Sequence, residues 1–196
     1  MKTFSVKPIG FVRNSIDEEC LKFEENDIKL DIDTALKQIN GPQTSKIIIG
    51  EEYEECLDGI EDFSHLNISF WTHLQSEKAR EIKKVHPVGS KRFPIKGIFA
   101  TRSPVRPNPV CQTTVKLIKR QGNSLIVEGL DAIDETPIID IKPHLPYYDS
   151  PTEVHLAEWM YQVMDYLHDV AKSHGLNEEQ TQYASDYRAH PCLKLD

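Results

Sequence analysis

The first two-thirds of the chain consist of short apolar runs separated by turn residues, a pattern typical of β-strands. From Leu66 onward the residues alternate, which predicts a half-buried strand. Its apolar face carries Leu66, Ile68, Phe70 and Leu74, and its polar face carries Asn67, Ser69 and His73. Six further strands are predicted at residues 9–13, 46–49, 97–101, 113–119, 125–130 and 137–141. Residues 120–124 contain Gly122 and Asn123 and predict a hairpin turn. Short strands with turns between them indicate a β-barrel or a β-sandwich.

The C-terminal third changes to the periodicity of a helix. Ser150-Pro151-Thr152-Glu153 has the pattern of a capping box with proline at the first helical position, which predicts that a helix begins there. Apolar residues then recur at spacings of three and four before a stop near Gly175. They are Leu156, Trp159, Met160, Val163, Tyr166, Leu167 and Val170. We expect this stripe to dock onto the barrel or onto a partner chain.

Smaller elements complete the predicted organisation. Residues 77–84 predict a helical turn or a short helix, residues 85–94 an irregular loop, and residues 177 to about 187 a second short C-terminal helix. We expect a mainly β protein with a small closed barrel over residues 1–149. A helical extension and tail are expected over residues 150–196.

Size and composition are those of a globular protein. The chain has 196 residues and a mass of 22.5 kDa, which suits one domain with an appendage. No apolar run is long enough for a membrane span or a signal peptide, so we expect a cytoplasmic protein. The histidines lack metal-ligand spacing, and the cysteines are far apart, at Cys20, Cys56, Cys111 and Cys192. We therefore expect no metal site and no disulfide framework.

Charge is distributed unevenly along the chain, whose formal net charge is −8. Residues 17–62 are rich in Asp and Glu. Residues 78–106 contain one acid, Glu81, and nine cations: Lys78, Arg80, Lys83, Lys84, Lys91, Arg92, Lys96, Arg102 and Arg106. The acidic total disfavours non-specific nucleic-acid binding, which needs Lys and Arg opposite phosphates. The basic stretch is either the first candidate for an RNA contact or a solvated loop that balances the acidic half.

Residues 100–110, with the sequence A-T-R-S-P-V-R-P-N-P-V, predict a stiff loop. Each proline fixes its own φ and biases the preceding residue toward extended conformations. The loop can therefore hold Arg102, Arg106 and Asn108 in fixed directions. Guanidinium groups bind carboxylates and phosphates through paired hydrogen bonds, which suits a ligand clamp. The alternative is a connector whose arginines face only water.

Two other candidates for chemistry remain ambiguous from the residues alone. Asp140 and Lys142 lie two apart on a predicted strand and therefore share a face, as a structural ion pair or as a site for an amino-acid-like ligand. Cys111 is either a nucleophile or a small buried apolar residue. No G-x-G-x-x-G, P-loop, H-E-x-x-H or G-x-S-x-G motif is present, which disfavours a Rossmann methyltransferase or dehydrogenase.

Three segments resemble the TsaA-like (TrmO) family and stand in that family's order. They are G-I-E-D-F-S-H-L at 59–66, G-I-F-A-T-R-S-P-V-R-P-N-P-V at 97–110, and the span from Leu130-Asp131 to Asp140-Ile141-Lys142-Pro143. Residues 9–13 are similar to the family's opening strand, so the resemblance covers about residues 4–148. The chain departs from the family pattern at Val110-Cys111 (usually Ile-Gly), Glu135 (usually Gly) and His144 (usually Tyr). Where tRNA-methylating members have a further C-terminal domain, this chain has a helix and a tail.

The resemblance implies a six- or seven-stranded barrel that binds S-adenosylmethionine, usually as a homodimer. It implies methylation of N6 of threonylcarbamoyl-adenosine next to the tRNA anticodon. The cofactor-binding residues that it implies are His73, Leu74, Gln75, Arg102, Gln112, Gly129, Leu130 and Asp131. Residues expected to support or face the acceptor are Arg106, Asn108, Asp134, Asp140 and Lys142, of which Asn108, Asp140 and Lys142 are the catalytic candidates.

This assignment fits the chemistry of methyl transfer. Displacement at a sulfonium methyl depends mainly on holding the nucleophile in line and near contact. An adenine amine must also lose a proton, and Asp140 or Asp131 is a candidate acceptor. The leading hypothesis is therefore a tRNA adenine N6-methyltransferase. The alternatives are a methyltransferase acting on a small metabolite and a non-catalytic module that binds S-adenosylmethionine.

Overall fold

Strands dominate the part of the chain that the computed structural model describes, which is residues 2–41 and 43–177. The strands are β1 (Gly10–Arg13), β2 (Leu21–Glu24), β3 (Asp27–Leu30), β4 (Thr44–Ile49), β5 (His65–Trp71), β6 (Lys84–Val85), β7 (Lys96–Gly97), β8 (Val110–Gln121), β9 (Ser124–Glu128) and β10 (Pro137–Pro143). The α-helices are α1 (Ile32–Asn40), α2 (Glu77–Arg80), α3 (Pro146–Asp149) and α4 (Glu158–Ser173). Short 3-10 helices cover Glu51–Leu57, Ile60–Asp62, Pro87–Gly89 and Ile98–Ala100. The second C-terminal helix predicted from residue 177 lies, beyond Asn177, outside the described residues.

Six strands close into a barrel in the order β1-β10-β5-β8-β9-β4, and all neighbouring pairs are antiparallel. Strand β1 closes the barrel by pairing with both β4 and β10. At Gly10 the backbone of β4 approaches so closely that a Cβ would lie 2.2 Å from the carbonyl oxygen of Ile48. Any side chain at position 10 would therefore force this seam apart. The predicted small barrel is confirmed, with six strands.

Aliphatic side chains fill the barrel interior. Leu66, Ile68 and Phe70 point inward from β5 as predicted, and each is at most 3% exposed. They pack with Val12, Ile47, Ile49, Leu57, Val115, Leu125, Val127, Leu130, Ala132 and Ile138. Leu74 was wrongly predicted to continue this face. Strand β5 ends at Trp71 because the Thr72 N–H bonds to the carbonyl oxygen of Pro109, and Leu74 is 54% exposed beyond it.

Most predicted barrel strands are confirmed, but residues 97–101 are not a strand. Only Lys96–Gly97 is extended there, in the β6–β7 pair, and a 3-10 helix follows. Ile98 is buried outside the barrel, and its carbonyl oxygen accepts a hydrogen bond from the Thr101 hydroxyl at 2.9 Å. The predicted β8–β9 hairpin is confirmed, with a turn at Gly122 (φ +59°) and Asn123. The predicted short helix at 77–84 is confirmed as α2, which is shorter than expected.

An insertion between β1 and β4 contains the β2–β3 hairpin and α1, which the sequence analysis missed. The hairpin turns at Glu25 and Asn26, both with positive φ. Asp31 caps α1 by accepting a hydrogen bond from the Thr34 N–H at 3.1 Å. Ile28 of the hairpin packs in a second apolar cluster outside the barrel, together with Ala79, Val85, Ile98 and Val105. This cluster joins the insertion to the segment before the proline-rich loop.

Helix α4 forms as predicted but begins at Glu158 rather than after Ser150. Ser150 instead ends α3, and Glu153 has a φ of +58°, which is incompatible with a helix. The predicted capping box is therefore wrong. Proline disfavours helical conformation in the residue before it, so Pro151 helps to end α3 at Ser150. Pro146 takes the first helical position of α3.

Ring contacts of α4 are made with residues 92–96, which lie outside the six barrel strands, so the predicted docking onto the barrel is not seen in these contacts and docking onto a partner chain stays a prediction. Val163 is 4% exposed. The ring of Tyr166 lies edge-on to Phe93, with centroids 5.5 Å apart. None of the helices in the described ranges is long and apolar enough to cross a membrane.

Candidate functional site

The proline-rich loop lies against one edge of β8. Strand β8 pairs with β5 from Val110 onward, but its described pairing with β9 begins only at Lys116. Arg102 reaches the part of β8 before Lys116, where its Nη2 donates a hydrogen bond to the carbonyl oxygen of Gln112 at 2.7 Å. Two of the predicted cofactor residues are therefore in direct contact, through the backbone of Gln112 rather than its side chain.

Buried contacts fix the shape of this loop. Val105 is fully buried and Ser103 is 6% exposed. The Thr72 hydroxyl donates to the carbonyl oxygens of Pro104 at 3.1 Å and Pro109 at 3.2 Å. The end of β5 is thus bonded to both sides of the loop, as expected for a segment that must hold Arg102 in place.

Asp131 lies within electrostatic range of Arg102, and we call the surface around Arg102, the Gln112 backbone and Asp131 the recess. The Asp131 side chain is exposed, yet the surrounding protein atoms desolvate the carboxyl enough to raise its pKa, and the charge of Arg102 opposes this rise. Across the described residues, no hydrogen bond or ion pair to this carboxylate is formed. Because this carboxylate is exposed and has no partner in the described chain, a cationic group of a ligand can approach it.

Two cysteines lie close enough to this recess for Asp131 to raise the pKa of both thiols. Burial is the larger cause for Cys20 and for Cys111, and the charges of Arg106 and Arg102 partly oppose the rise at Cys111. A raised pKa lowers the fraction of reactive thiolate. Cys111 also packs against the barrel core. Of its two interpretations, the structure favours the apolar residue over the nucleophile.

The residues after β5 carry two further polar groups at this end of the barrel. His73 Nδ1 is buried without a hydrogen-bond partner among the described residues, and burial lowers the pKa of the ring. Gln75 is 5% exposed, and its amide donates to the carboxylate of Glu19. Burial raises the pKa of Glu19, and the hydrogen bond from Gln75 opposes this. Cys20 follows Glu19, so residues 19–20 connect Gln75 with the surroundings of Asp131.

Gly129 and Leu130 lead from β9 to Asp131. Gly129 is exposed with a φ of +83°, and Leu130 is 5% exposed in the barrel core. Leu130 therefore anchors the segment by its side chain, and only its backbone is available to a ligand.

Among the predicted acceptor residues, Asp140 and Lys142 pair with each other on the outer face of β10. Asp140 stands opposite Ser69 of β5, and Ser69 stands opposite Gln112 of β8. Directly opposed residues in antiparallel strands share a face, with Cβ atoms about 5 Å apart. Asp140 is therefore two strands away from Gln112, on the same outer surface.

The remaining acceptor candidates lie in different surroundings. Asn108 is exposed on the proline-rich loop, and Arg106 donates to the carbonyl oxygen of Ser103 at 3.4 Å. Asp134 accepts a hydrogen bond from the Asn14 N–H at 3.0 Å, and its other oxygen lies 3.5 Å from Arg13. Asp134 is thus engaged in fixing the chain after β1, and a role in substrate binding stays a prediction.

Sequence reasoning missed three residues that shape this region: Asn14, Glu19 and Thr72. Each acts through partners far away in sequence, and none belongs to a local motif. Glu19 and Gln75, for example, are 56 residues apart. Two surface depressions, of about 470 and 600 Å³, lie elsewhere, beside the β2–β3 hairpin and beside Leu117–Arg120, and none of the predicted site residues lines them.

The closed six-stranded barrel, with an arginine-bearing loop bonded to β8, defines a class of small-barrel proteins. The chain belongs to the family described as the tRNA-methyltransferase O N-terminal domain, which matches residues 36–150. The family membership predicted from the sequence motifs is confirmed.

Individual relatives support this membership. A probable S-adenosyl-L-methionine-binding protein of Methanothermobacter thermautotrophicus is 36% identical over 145 residues, covering 74% of this chain and 93% of the relative. One of Methanocaldococcus jannaschii is 45% identical over 104 residues, covering 53% of this chain and 82% of the relative. The human tRNA (adenine(37)-N6)-methyltransferase is 35% identical over 141 residues, covering 71% of this chain and 29% of the relative.

The fold is also that of solved relatives. A crystal structure of TrmO from Pseudomonas aeruginosa superimposes with a TM-score of 0.55 at 27% identity, covering 79% of this chain and 62% of that chain. This chain therefore spans less than two-thirds of the solved TrmO chain.

Proposed function

We propose that this chain transfers a methyl group from S-adenosylmethionine to N6 of an adenine in tRNA, at the position next to the anticodon, with threonylcarbamoyl-adenosine as the acceptor. Relatives are named for S-adenosylmethionine binding and for methylation of tRNA adenine 37 at N6. The observation that carries the proposal is that Arg102, which bonds to the Gln112 backbone, lies within electrostatic range of the unpaired carboxylate of Asp131.

The residues of the recess fit the cofactor. S-adenosylmethionine carries positive charge on its sulfonium and amino groups and negative charge on its carboxylate. Asp131 offers an unpaired carboxylate for a cation, and Arg102 keeps donors free beside the one bonded to Gln112. The buried His73 Nδ1 lacks a partner within the described chain, and a bound ligand would satisfy it.

The bound cofactor supplies an electrophilic methyl carbon, activated by its positively charged sulfur. The chain's own task is to hold cofactor and acceptor in line. Asp140 is proposed to accept the proton that the adenine amine loses, at one of its carboxylate oxygens, while Lys142 holds that carboxylate on the outer surface. Asn108, Arg106 and Asp134 are proposed to face the acceptor.

The cations between residues 78 and 106 support an RNA acceptor. Lys78, Lys83, Lys84, Lys91 and Arg92 are exposed. These cations precede the proline-rich loop in the sequence. RNA bound to them would therefore contact the segment that leads to Arg102. The chain as a whole carries a net charge of −8, so RNA binding has to be local.

A homodimer and a cytoplasmic location complete the proposal. Phe99 is 78% exposed beside the proline-rich loop, and Val110 at the start of β8 is 39% exposed. Large exposed apolar side chains near the proposed site are candidates for burial in a dimer contact. Light scattering of the purified chain tests the dimer, and a monomeric mass would refute it.

The decisive experiment has two stages. Calorimetric titration with S-adenosylmethionine is expected to give micromolar binding in the wild type and none in Arg102→Ala. Methyl transfer is then measured with labelled cofactor on tRNA with and without threonylcarbamoyl-adenosine, and on a small-metabolite extract. Label in tRNA at adenine supports the proposal. Label only in the extract would establish the metabolite enzyme, and binding without any product would establish the non-catalytic module.

A further inference from the structure

The cationic segment, defined as residues 78–106, concentrates nine cations in one stretch, whereas about half of the described Lys and Arg residues elsewhere are paired with an acid. Elsewhere, cations that pair with Asp or Glu are Arg13, Lys22, Lys29, Lys116, Arg120 and Lys142. Over the described ranges, none of the nine cations of the cationic segment forms such an ion pair. Within the described residues no ion pair covers these charges, and Arg102 differs from the others in lying within electrostatic range of Asp131.

Two of these cations instead lie over aromatic rings of α4. The guanidinium carbon of Arg92 is 5.5 Å from the centre of the Tyr166 ring, and Lys96 Nζ is 5.7 Å from the centre of the Trp159 ring. Both distances lie within the range of cation–π attraction. Trp159 and Tyr166 are two turns apart on one face of α4, about 10 Å along its axis. Residues 92–96 therefore run along this face with a cation fixed near each end.

The outer side of α4 is unsuited to contact a polyanion. Glu158, Asp165 and Asp169 are exposed and spaced so that they share one side of the helix. This side lies about 100° around the helix axis from the rings of Trp159 and Tyr166, and Lys172 is the exposed cation on it. Acids outnumber this cation, so this side of α4 disfavours a polyanion, whereas the cationic segment attracts one.

From this arrangement we infer that α4 is a positioning element for an RNA-contact surface, in which Trp159 and Tyr166 hold Lys96 and Arg92 toward the phosphates of the acceptor RNA. The inference rests on the proposed function, because it assumes an RNA acceptor. It assigns a role to a helix that lies outside residues 36–150, the range that matches the family.

The physical reason is preorganisation. Long basic side chains lose conformational freedom when they contact a phosphate, and that loss weakens binding. A ring that already orders the aliphatic stem and the charged head removes part of the loss in advance. The charge itself is unchanged by the ring, so the number of phosphate contacts does not depend on Trp159 and Tyr166, whereas their strength does.

The test compares three double variants of the full chain with saturating S-adenosylmethionine, using a tRNA that carries threonylcarbamoyl-adenosine at position 37. In Trp159→Leu/Tyr166→Leu the rings are lost and apolar side chains remain. In Trp159→Phe/Tyr166→Phe the rings remain. In Arg92→Gln/Lys96→Gln the charges are lost. Thermal unfolding and cofactor titration establish that each variant is folded and binds the cofactor.

The leucine variant is expected to bind tRNA about tenfold more weakly with an unchanged salt slope, because both charges remain. The phenylalanine variant should recover most of the affinity. The glutamine variant should flatten the slope of log affinity against log salt by about 1.4 to 1.8. Wild-type affinity and slope in the leucine variant would overturn the inference while leaving tRNA as the acceptor. A wild type that binds the cofactor and no tRNA would instead refute the proposed function itself.

Discussion

Asp131 and Asp134 lie three residues apart in the same connection between β9 and β10, and their carboxylates have opposite surroundings. Asp134 accepts a hydrogen bond from the Asn14 N–H and lies near Arg13, and its own N–H donates to the carbonyl oxygen of Ile16 at 2.6 Å. The Asp131 carboxylate has no such partner in the part of the chain described here, and burial raises its pKa. One carboxylate completes the fold, and the other is left available.

Whether a carboxylate has a partner within the protein distinguishes structural acids from ligand-binding acids better than residue type or sequence position does. A desolvated carboxylate without a partner destabilises the folded state, so its presence requires another explanation. A ligand that supplies a positive group is one such explanation. Asp134, in the same connection, accepts a hydrogen bond from the backbone N–H of Asn14. Backbone donors are therefore available near this connection, and Asp131 does not lack a partner for want of them.

The largest expected effect follows replacement of the available carboxylate. Asp131→Asn should weaken S-adenosylmethionine binding tenfold or more, because hydrogen bonds to charged groups contribute about 1.5–3 kcal/mol. Calorimetric titration measures the change. The matched control is Asp134→Asn, which keeps a side-chain oxygen near Asn14 and should bind the cofactor within about twofold of the wild type, given a net hydrogen-bond contribution near 1 kcal/mol to the fold alone. Equal losses in both variants would contradict the comparison.

The next largest effect is on stability, where replacing Asp134 should matter more than replacing Asp131. Asp134→Ala leaves the Asn14 N–H without its acceptor and should lower the free energy of unfolding by about 1–3 kcal/mol. Asp131→Ala removes a carboxylate that lacks a partner and should cost no stability at neutral pH. Urea unfolding of both variants at equal protein concentration measures this, and a less stable Asp131→Ala protein would show that Asp131 has a structural partner after all.

The barrel was predictable because its strands carry local signals. The alternation around Leu66, Ile68 and Phe70 and the turn at Gly122 depend only on neighbouring residues, and both are present in the structure. Where a local pattern competed with longer-range packing, the prediction failed. Residues 97–101 look like a strand, but Ile98 is buried in a separate cluster together with Ile28 of the missed hairpin.

The site was predictable as a set of motifs but not as an arrangement. Sequence indicated Arg102 and Asp131 through resemblance, and only the barrel closure shows that Arg102 reaches the Gln112 backbone. The engagement of Asp134 by Asn14 and of Gln75 by Glu19 depends on contacts across 120 and 56 residues. Such contacts have no local signature, so residue type alone could not separate Asp131 from Asp134.

A smaller effect is expected in the pH dependence. Because the folded pKa of Asp131 lies above its ordinary value, the folded protein holds a proton that the unfolded chain has released in the interval between the two. This carboxyl therefore lowers stability as pH rises through that interval. The stability difference between Asp131→Asn and wild type should grow across the same interval, and subtraction removes the contribution of Glu19, whose pKa is also raised.

Cofactor affinity should rise with pH over the same interval, since only the ionised Asp131 carboxylate attracts a cation. Melting temperatures at each pH measure the change in stability, and calorimetric titrations from about pH 4 to 7 measure the change in cofactor affinity. If neither the stability difference nor the cofactor affinity changed with pH, Asp131 would not be the carboxylate that binds the cofactor.

The smallest expected effect tests whether the loop beside Asp131 is held by β5. Thr72→Val keeps the side-chain shape and removes the hydroxyl that bonds to the carbonyl oxygens of Pro104 and Pro109. The loss should be about 0.5–1.5 kcal/mol, divided between stability and the positioning of Arg102. We expect a two- to tenfold weaker cofactor affinity in this variant, which corresponds to at most about 1.4 kcal/mol. Thr72→Ser keeps the hydroxyl and should bind as the wild type does. If the Thr72→Val and Thr72→Ser variants bind the cofactor equally well, the prolines alone fix the loop. The position of Arg102 beside Asp131 would then follow from the stiffness of the loop and not from the hydrogen bonds of Thr72.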